Sequence, residues 1–538
     1  MNIDRETTSP EKKPPFKKSG TPLLIILILF MFVTVLRYKT RAITDDAFIT
    51  YRYARNLIEG KGLVYNPGER VLGTTTPLYT FLMAGAMACG VKPWHASLIL
   101  DCFFVTAILW IILQWGELVG DRIWCWGVVI LMFLDPLSIL PVAGMETGLF
   151  ILLVYGSFLL SAKNRHFFSV ILSLSALFTR PEGGLALILV LAPALWDFQN
   201  KKMRPEWKKI LLITIIPLSC AALLMKVYYG TLIIQSIKAK HAQTNFREIW
   251  KPFFDWFFQR QFFPHTRFDI KGILEWIGFV LIFIRYPRLR LFLYWFILYL
   301  LFMKLGRAPH FVHYYTPLYP IQMMALCMTL LTFVRFIVTF LYKKIITLTH
   351  RSFKTAHCLF DFNSPLFIPL FLILFHCLSP FYIYASLRLL YWIYFDDRPS
   401  VDCKRYEYAG QWIKDHSQPA DEVMTPEIGY IGYFSERRIF DIMGLVSPQA
   451  VSELGKTSIW EWAVRRNPEF VVYPLPLKGF TKLPVSFVKK YQMAKFWIHN
   501  QDFIVVFKKN IREIQQLPGQ TLGIDPRKSM KDYSSVVQ

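Results

Sequence analysis

The sequence predicts a mainly α, polytopic helical membrane protein with a small α/β domain at its C-terminal end. Three observations carry this reading. Of the 538 residues, 54% are hydrophobic and the mean hydropathy is +0.35, well above a soluble domain of this length. Many apolar runs approach or reach the roughly 17–25 residues that a helix needs to cross a bilayer. After about residue 392 the pattern changes to short strand-like runs, one helix-like stretch and scattered Pro and Gly.

The first 20 residues are polar and basic, with Lys12, Lys13, Lys17 and Lys18. The apolar segment 23–36 follows without a small-residue cleavage site, so it reads as a retained anchor helix and not a removed signal peptide. The net charge of +24 does not point to nucleic acid, because the basic residues sit mostly in short loops between apolar runs. That is the bias of cytoplasmic loops, with some attraction to anionic lipid. The eight cysteines are scattered, mostly in apolar stretches and with no C-x-x-C pair, and read as core hydrophobes.

Segment 77–91 is apolar but short, and Gly85 and Gly90 interrupt it; it reads as interfacial or re-entrant unless loop charge says otherwise. If it does not cross, the spans fall at 23–36, 96–116, 123–141, 147–162, 167–179, 183–196, 210–229, 272–284, 290–305, 318–341 and 365–388. The basic clusters around Lys163, Lys201, Arg285 and Lys343 then share the side of the N-terminus. If it crosses, all of them face the other way. The positive-inside bias selects the first arrangement, with about eleven helices, a cytoplasmic N-terminus and an extracytoplasmic C-terminal domain. The expected organisation is a cytoplasmic tail over 1–20, a membrane module over 21–391 with outer loops 38–95 and 230–271, an α/β domain over 392–517, and a disordered tail over 518–538.

This topology gathers the polar motifs on the outer side. Asp45 and Asp46 follow the anchor, and a carboxylate pair so close to lipid is a functional candidate by default. A carboxylate there can act as general base on an acceptor hydroxyl or hold a divalent cation. It can equally cap a helix running from Ala47 to Gly60, and one aspartate can cap while the other works. Arg52 on that helix can grip a phosphate in bidentate fashion or snorkel to headgroups. The turn Asn66-Pro-Gly-Glu69 and the polar run Gly73-Thr-Thr-Thr-Pro77 read mainly as scaffold.

Glu146 lies in Gly144-Met-Glu-Thr147. In Arg180-Pro-Glu-Gly183 the proline forces the chain out of helix, leaving Arg180 and Glu182 as substrate contacts or a structural pair. Lys238 and Lys240 sit on an outer loop that gains nothing from positive-inside sorting, so they bind an anionic head group or are merely solvated. His313 and Tyr314 precede the longest helix; His310 and His313 lack a third metal ligand in the sequence, which favours aromatic-belt packing. There is no G-x-G-x-x-G, G-x-x-x-x-G-K-[ST] or H-E-x-x-H motif.

Taken in order, these motifs resemble the GT-C superfamily of polytopic membrane glycosyltransferases, nearest the bacterial terminal arabinofuranosyltransferase-like group. The stretch from Asp45 to Val71 carries most of the likeness. Gly144–Thr147, Arg180–Gly183, the loop ending at Lys240, His313–Pro320 and Glu427–Leu445 follow in the same order. The chain departs from the pattern at Ile234, where the resemblance would place proline.

The resemblance implies a GT-C-like helical module and a polyprenyl-phosphate sugar donor. It also implies a cell-envelope glycan or lipid acceptor and residence in a bacterial inner membrane. The leaving lipid phosphate is already a stable anion, so the site needs positive charge where phosphate charge grows, from Lys240 and Arg180 with Arg52 or Lys238. Asp45 is the first candidate for the base and Asp46 the second, one orienting the other or a divalent cation. Glu146, Glu182, His313 and Tyr314 complete the implied substrate contacts, and direct displacement implies inversion. Two other readings stand beside this one: a glycolipid transporter or flippase, which would favour charges and broken helices at the midplane, and a catalytically inert assembly scaffold.

Overall fold

The computed structural model describes residue 31 and residues 43–134, 144–199, 205–243, 270–306, 312–349, 398–476, 483–499 and 502–510. The anchor (except residue 31), the span at 365–388, His310, most of the loop 230–271 and the tail 518–538 lie outside these residues.

The first outer stretch opens with helix α1 (Asp45–Ile58), whose first turn holds Asp45 and Asp46, where carboxylates meet the positive end of the helix dipole. The helix starts two residues earlier than the sequence suggests, and Thr44 makes no side-chain cap. Helix α2 (Pro77–Ala88) has proline in its first turn. Its twelve residues, at roughly 1.5 Å each, fall well short of a bilayer core of about 30 Å.

Next come α3 (Pro93–Val119), α4 (Arg122–Leu134), α5 (Thr147–Ala162), α6 (His166–Thr179), α7 (Gly183–Gln199), α8 (Pro205–Tyr229) and α9 (Gln235–Gln243). The module closes with α10 (Ile270–Arg285), α11 (Arg290–Leu305), the short α12 (Val312–Tyr315) and α13 (Tyr319–Thr349). Among the described residues, three stretches are long and apolar enough to cross a membrane: Pro93–Val119, Glu206–Tyr229 and His313–Ile337. The apolar helices α2 and α4–α7 are shorter, so the expectation of about eleven crossings rests on short helices and on segments not described. Large aromatic side chains fill the module, with Trp115, Trp124, Tyr155, Phe158 and Trp295 all fully buried.

The C-terminal domain runs α14 (Arg398–Asp415), β1 (Glu422–Thr425), α15 (Gly429–Ser435), β2 (Arg438–Asp441), α16 (Pro448–Glu453), α17 (Ile459–Arg466), β3 (Phe470–Pro476), α18 (Val485–Lys490), β4 (Tyr491–His499) and β5 (Asp502–Lys509). Its sheet has the order β2-β1-β3-β5-β4. β1 lies parallel to β2 and β3, while β5 is antiparallel to β3 and β4. Strand alternation sorts the side chains onto two faces. Val423, Ile439, Phe470, Val472 and Val506 pack against α14, α15 and the outer-loop residues Tyr53 and Tyr65. Met424, Phe440, Val471 and Val505 pack against Trp462 and Phe487. The first face therefore seats the domain on the stretch that carries Asp45 and Asp46.

Candidate active site

The seat between domain and outer loop is polar at its edges. Both oxygens of the Asp45 carboxylate accept backbone hydrogen bonds at the start of α15, from Gly429 N and Tyr430 N at 2.8 Å each. Asp45 thus caps a helix, but one that lies 384 residues away in sequence. The Tyr430 hydroxyl donates back to the Ile43 carbonyl at 3.0 Å, and the Phe48 and Tyr430 rings pack with centroids 3.9 Å apart.

Arg52 completes the join. Its guanidinium donates to the carbonyls of Tyr65 at 2.9 Å, Gly432 at 2.5 Å and Arg437 at 2.7 Å, and to Asn66 Oδ1 at 3.3 Å. It is 2% exposed and does not line the cavity described next. Its donors are spent on backbone, so the structure does not place Arg52 where a substrate phosphate would lie. The Asn66 turn serves the same join: its side-chain amide donates to Ile439 O at 2.9 Å and accepts from Ile439 N at 3.0 Å, as a neighbouring strand would.

Between these parts lies a cavity of about 490 Å³, lined by Asp45 and Asp46 from α1 together with Glu146, Arg180, Glu182, Lys240, His313 and Tyr314. Eight of the ten residues expected from the sequence thus converge. Arg52 and Lys238 do not; Lys238 is exposed, off the cavity wall. The Gly144–Thr147 segment is pinned by the hydroxyls of Tyr51 and Tyr79, which both donate to Gly144 O at 3.2 and 3.1 Å. Gly144 has φ 88° and sits so close to Tyr51 that a Cβ would meet its hydroxyl at 2.6 Å, so only glycine fits there.

Arg180 leaves α6 with an extended backbone, φ −154° and ψ 142°, as the residue before proline should. Its guanidinium is buried between two carboxylates, Glu182 at 3.2 Å and Glu146 at 3.8 Å, and donates to the His313 carbonyl at 3.1 Å. The structural pair foreseen between Arg180 and Glu182 therefore exists, and it stands on the cavity wall. Lys240 projects from α9 onto Tyr314, with its ammonium at the Tyr314 hydroxyl and 5.0 Å from the ring centre. Ile234, where proline was expected, directly precedes an intact α9.

Asp46 is the open carboxylate of the pair: among the described residues nothing hydrogen-bonds its side chain, which faces the cavity. Burial pushes its pKa up while the Lys240 charge draws it down. Lys240 is held above its usual value: burial alone would lower it, but Tyr314 and then Asp46 outweigh that.

Asp45 is raised to about 8, by burial first and by the Glu427 charge next, against the pull of the Tyr430 and Gly429 amides. Unfolded, it titrates near 3.8. Between those values the folded chain holds a proton that the unfolded chain has lost. Its contribution to stability is thus fully present below 3.8 and lost as pH rises through 8. The thermal midpoint of the wild type should accordingly fall relative to Asp45→Asn between about pH 5 and pH 9. A difference between the two that does not change with pH would contradict this.

Some cavity residues are not evident from the sequence. Thr74 and Thr76, read there as scaffold, line the wall and are hydrogen-bonded to each other at 3.0 Å. Ser236, one turn before Lys240, lines it with an Oγ that has no partner among the described residues. Glu427, from the C-terminal domain, lines it beside Asp46; its only sequence signal was its place at the head of the Glu427–Leu445 motif. A divalent cation finds no fitting donor set: among the described residues no three His, Cys, Asp or Glu side chains converge as ligands, and both Asp45 oxygens already accept amide hydrogens.

The fold is similar to that of solved ArnT. ArnT from Cupriavidus metallidurans bound to undecaprenyl phosphate superposes with a TM-score of 0.50 over 94% of this chain and 100% of that one, at 9% identity. The archaeal oligosaccharyltransferase AglB from Archaeoglobus fulgidus, in complex with an inhibitory peptide and a dolichol-phosphate, gives 0.49 over 90% and 74%, at 12% identity. The sequence is similar to a terminal β-(1→2)-arabinofuranosyltransferase from Corynebacterium glutamicum, 26% identical over 259 residues. The matched stretch is 41% of this chain, and the chain spans about a third of that relative's length, 36%. Residues 399–521 match a domain of unknown function, DUF8728.

Proposed function

We propose that the protein is a multi-pass glycosyltransferase of a bacterial inner membrane. It moves a sugar from a polyprenyl-phosphate donor to a cell-envelope glycan or lipid on the outer face, with the N-terminus cytoplasmic and the C-terminal domain periplasmic. The observation that carries the reading is the Asp46 carboxylate facing the cavity, with no hydrogen bond from any described residue and with Lys240 close enough to act on its titration. The acceptor oxygen attacks the anomeric carbon, the bond from that carbon to the phosphate oxygen breaks, and the lipid phosphate leaves as an anion. The acceptor proton passes to a carboxylate. Asp46 suits that role better than Asp45, whose oxygens are engaged by amides. One displacement inverts the anomeric centre.

Lys240 is the cation we place on the leaving phosphate. Arg180, balanced by Glu146 and Glu182, shapes the wall and holds α12 in place through His313. Lys240→Gln should raise the half-saturating donor concentration by about 10–100-fold, the worth of a hydrogen bond to a charged group. Unchanged donor dependence would remove Lys240 from this role.

The reaction itself is tested with purified protein in vesicles holding a decaprenyl-phosphate pentose, with membranes of a deletion strain as acceptor. A new glycosidic bond supports transfer. Movement of the lipid across the bilayer with no new bond supports the flippase reading instead.

A further inference from the structure

Glu427 stands out among the cavity groups because it comes from outside the membrane module. It occupies a short turn between β1 and α15, and that turn is built with care. Thr425 Oγ1 accepts the Glu427 N–H at 3.2 Å, and Pro426 fixes the chain between them. On the far side, the Ile428 carbonyl accepts the Tyr65 hydroxyl at 2.5 Å, and the two following amides are held by Asp45. Bonds on both sides therefore hold the Glu427 backbone in place.

The side chain itself is left unanswered. Among the described residues no donor hydrogen-bonds the Glu427 carboxylate, which is half-buried on the cavity wall beside Asp46. A half-buried carboxylate with no donor of its own keeps its lone pairs available to a ligand in the cavity. The neighbouring loop points the same way. Asp441, at the end of β2, accepts the amides of Met443 at 2.8 Å and Val446 at 3.0 Å, folding a tight loop that turns Met443 and Leu445 onto the cavity wall. The Gly444 carbonyl of that loop accepts the Gln235 side chain at 3.0 Å, tying it to the helix of Lys240. One carboxylate above an apolar shelf matches a sugar ring, which offers hydroxyl donors at its edge and C–H groups on its face.

We infer that the C-terminal domain completes the active site, with Glu427 accepting hydrogen bonds from hydroxyls of the acceptor sugar and so determining which acceptor is used. The inference rests on the transferase reading above and extends it to the domain that residues 399–521 match. The donor phosphate is placed at Lys240.

The test compares wild type, Glu427→Gln and Glu427→Ala as full-length protein in vesicles. The donor is a decaprenyl-phosphate pentose, and membranes of a deletion strain are titrated as acceptor. Both variants should need about 10-fold or more acceptor for half-maximal rate, with donor half-saturation within about 2-fold of wild type and an unchanged thermal midpoint. Unchanged acceptor dependence overturns the inference. A lower maximal rate with both half-saturations unchanged also overturns it, because Glu427 would then act on the chemical step. Absence of transfer by the wild type overturns the transferase reading and this inference with it, whereas wild-type transfer with an unaffected Glu427→Gln overturns the inference alone.

Discussion

Asp46→Asn should lower the maximal rate of transfer by about 10²–10⁴-fold, the span that a positioned general base contributes, while the protein folds normally. Asparagine has nearly the shape of aspartate, and no described hydrogen bond holds the Asp46 side chain, so the substitution breaks no described hydrogen bond. The comparison with Asp45→Asn makes the prediction sharp. Asparagine at position 45 can still accept one amide, but its NH₂ group would face the other N–H where a carboxylate oxygen now accepts at 2.8 Å. An unsatisfied buried donor costs about 1–3 kcal/mol. That variant should therefore melt earlier and lose less activity than Asp46→Asn. The acidic limb of the pH–rate profile separates the roles further: it should vanish in Asp46→Asn and persist in Asp45→Asn. If Asp45→Asn instead lost all transfer at an unchanged melting temperature, Asp45 would be the base.

The resemblance ranks Asp45 ahead of Asp46, while the residues alone leave the order open, and the reason shows what a sequence can carry. That the pair matters is legible, because two adjacent carboxylates beside an apolar segment are expensive wherever they lie. Which of them is occupied depends on two amides at Gly429 and Tyr430, and no local pattern reveals a contact across 384 residues. Arg52 fails for the same reason. Its spacing suits a phosphate ligand, yet two of its carbonyl partners, Gly432 and Arg437, belong to the other domain.

Helices of the membrane module are legible because apolar runs announce themselves. So are β3 and β5, rich in valine and phenylalanine, and the short β1, with Val423 and Met424 at its centre. β2 escapes notice because it is four residues long with charge at both ends. β4 escapes because its sequence, YQMAKFWIH, interrupts the apolar run with polar residues, as a strand at the sheet edge can. Glu427 is a lone acid in a turn, and the wall it belongs to exists only after the domain docks.

Docking itself can be broken at one atom. At Gly429 a Cβ would lie 1.8 Å from the Asp45 carbonyl oxygen and 2.6 Å from its Cγ. The obstacle includes backbone of α1, which cannot swing aside as a flexible side chain could. In Gly429→Ala, α15 must therefore draw back from α1, stretching both amide bonds to Asp45 and pulling Glu427, two residues upstream, off the cavity wall. Overpacking of this kind costs about 1–3 kcal/mol, and a displacement of about 1 Å in a positioning group costs about 10²-fold in rate. The expected result is a lower melting temperature together with at least a 10²-fold loss of transfer and faster hydrogen exchange at the amide of Tyr430. Gly85→Ala is the matched control, since a Cβ at Gly85 on α2 meets nothing within 4 Å and alanine favours the helix. Gly429→Ala with wild-type rate and stability would mean that the seat between the domains is looser than its bonds imply, and that the C-terminal domain is not needed to form the cavity.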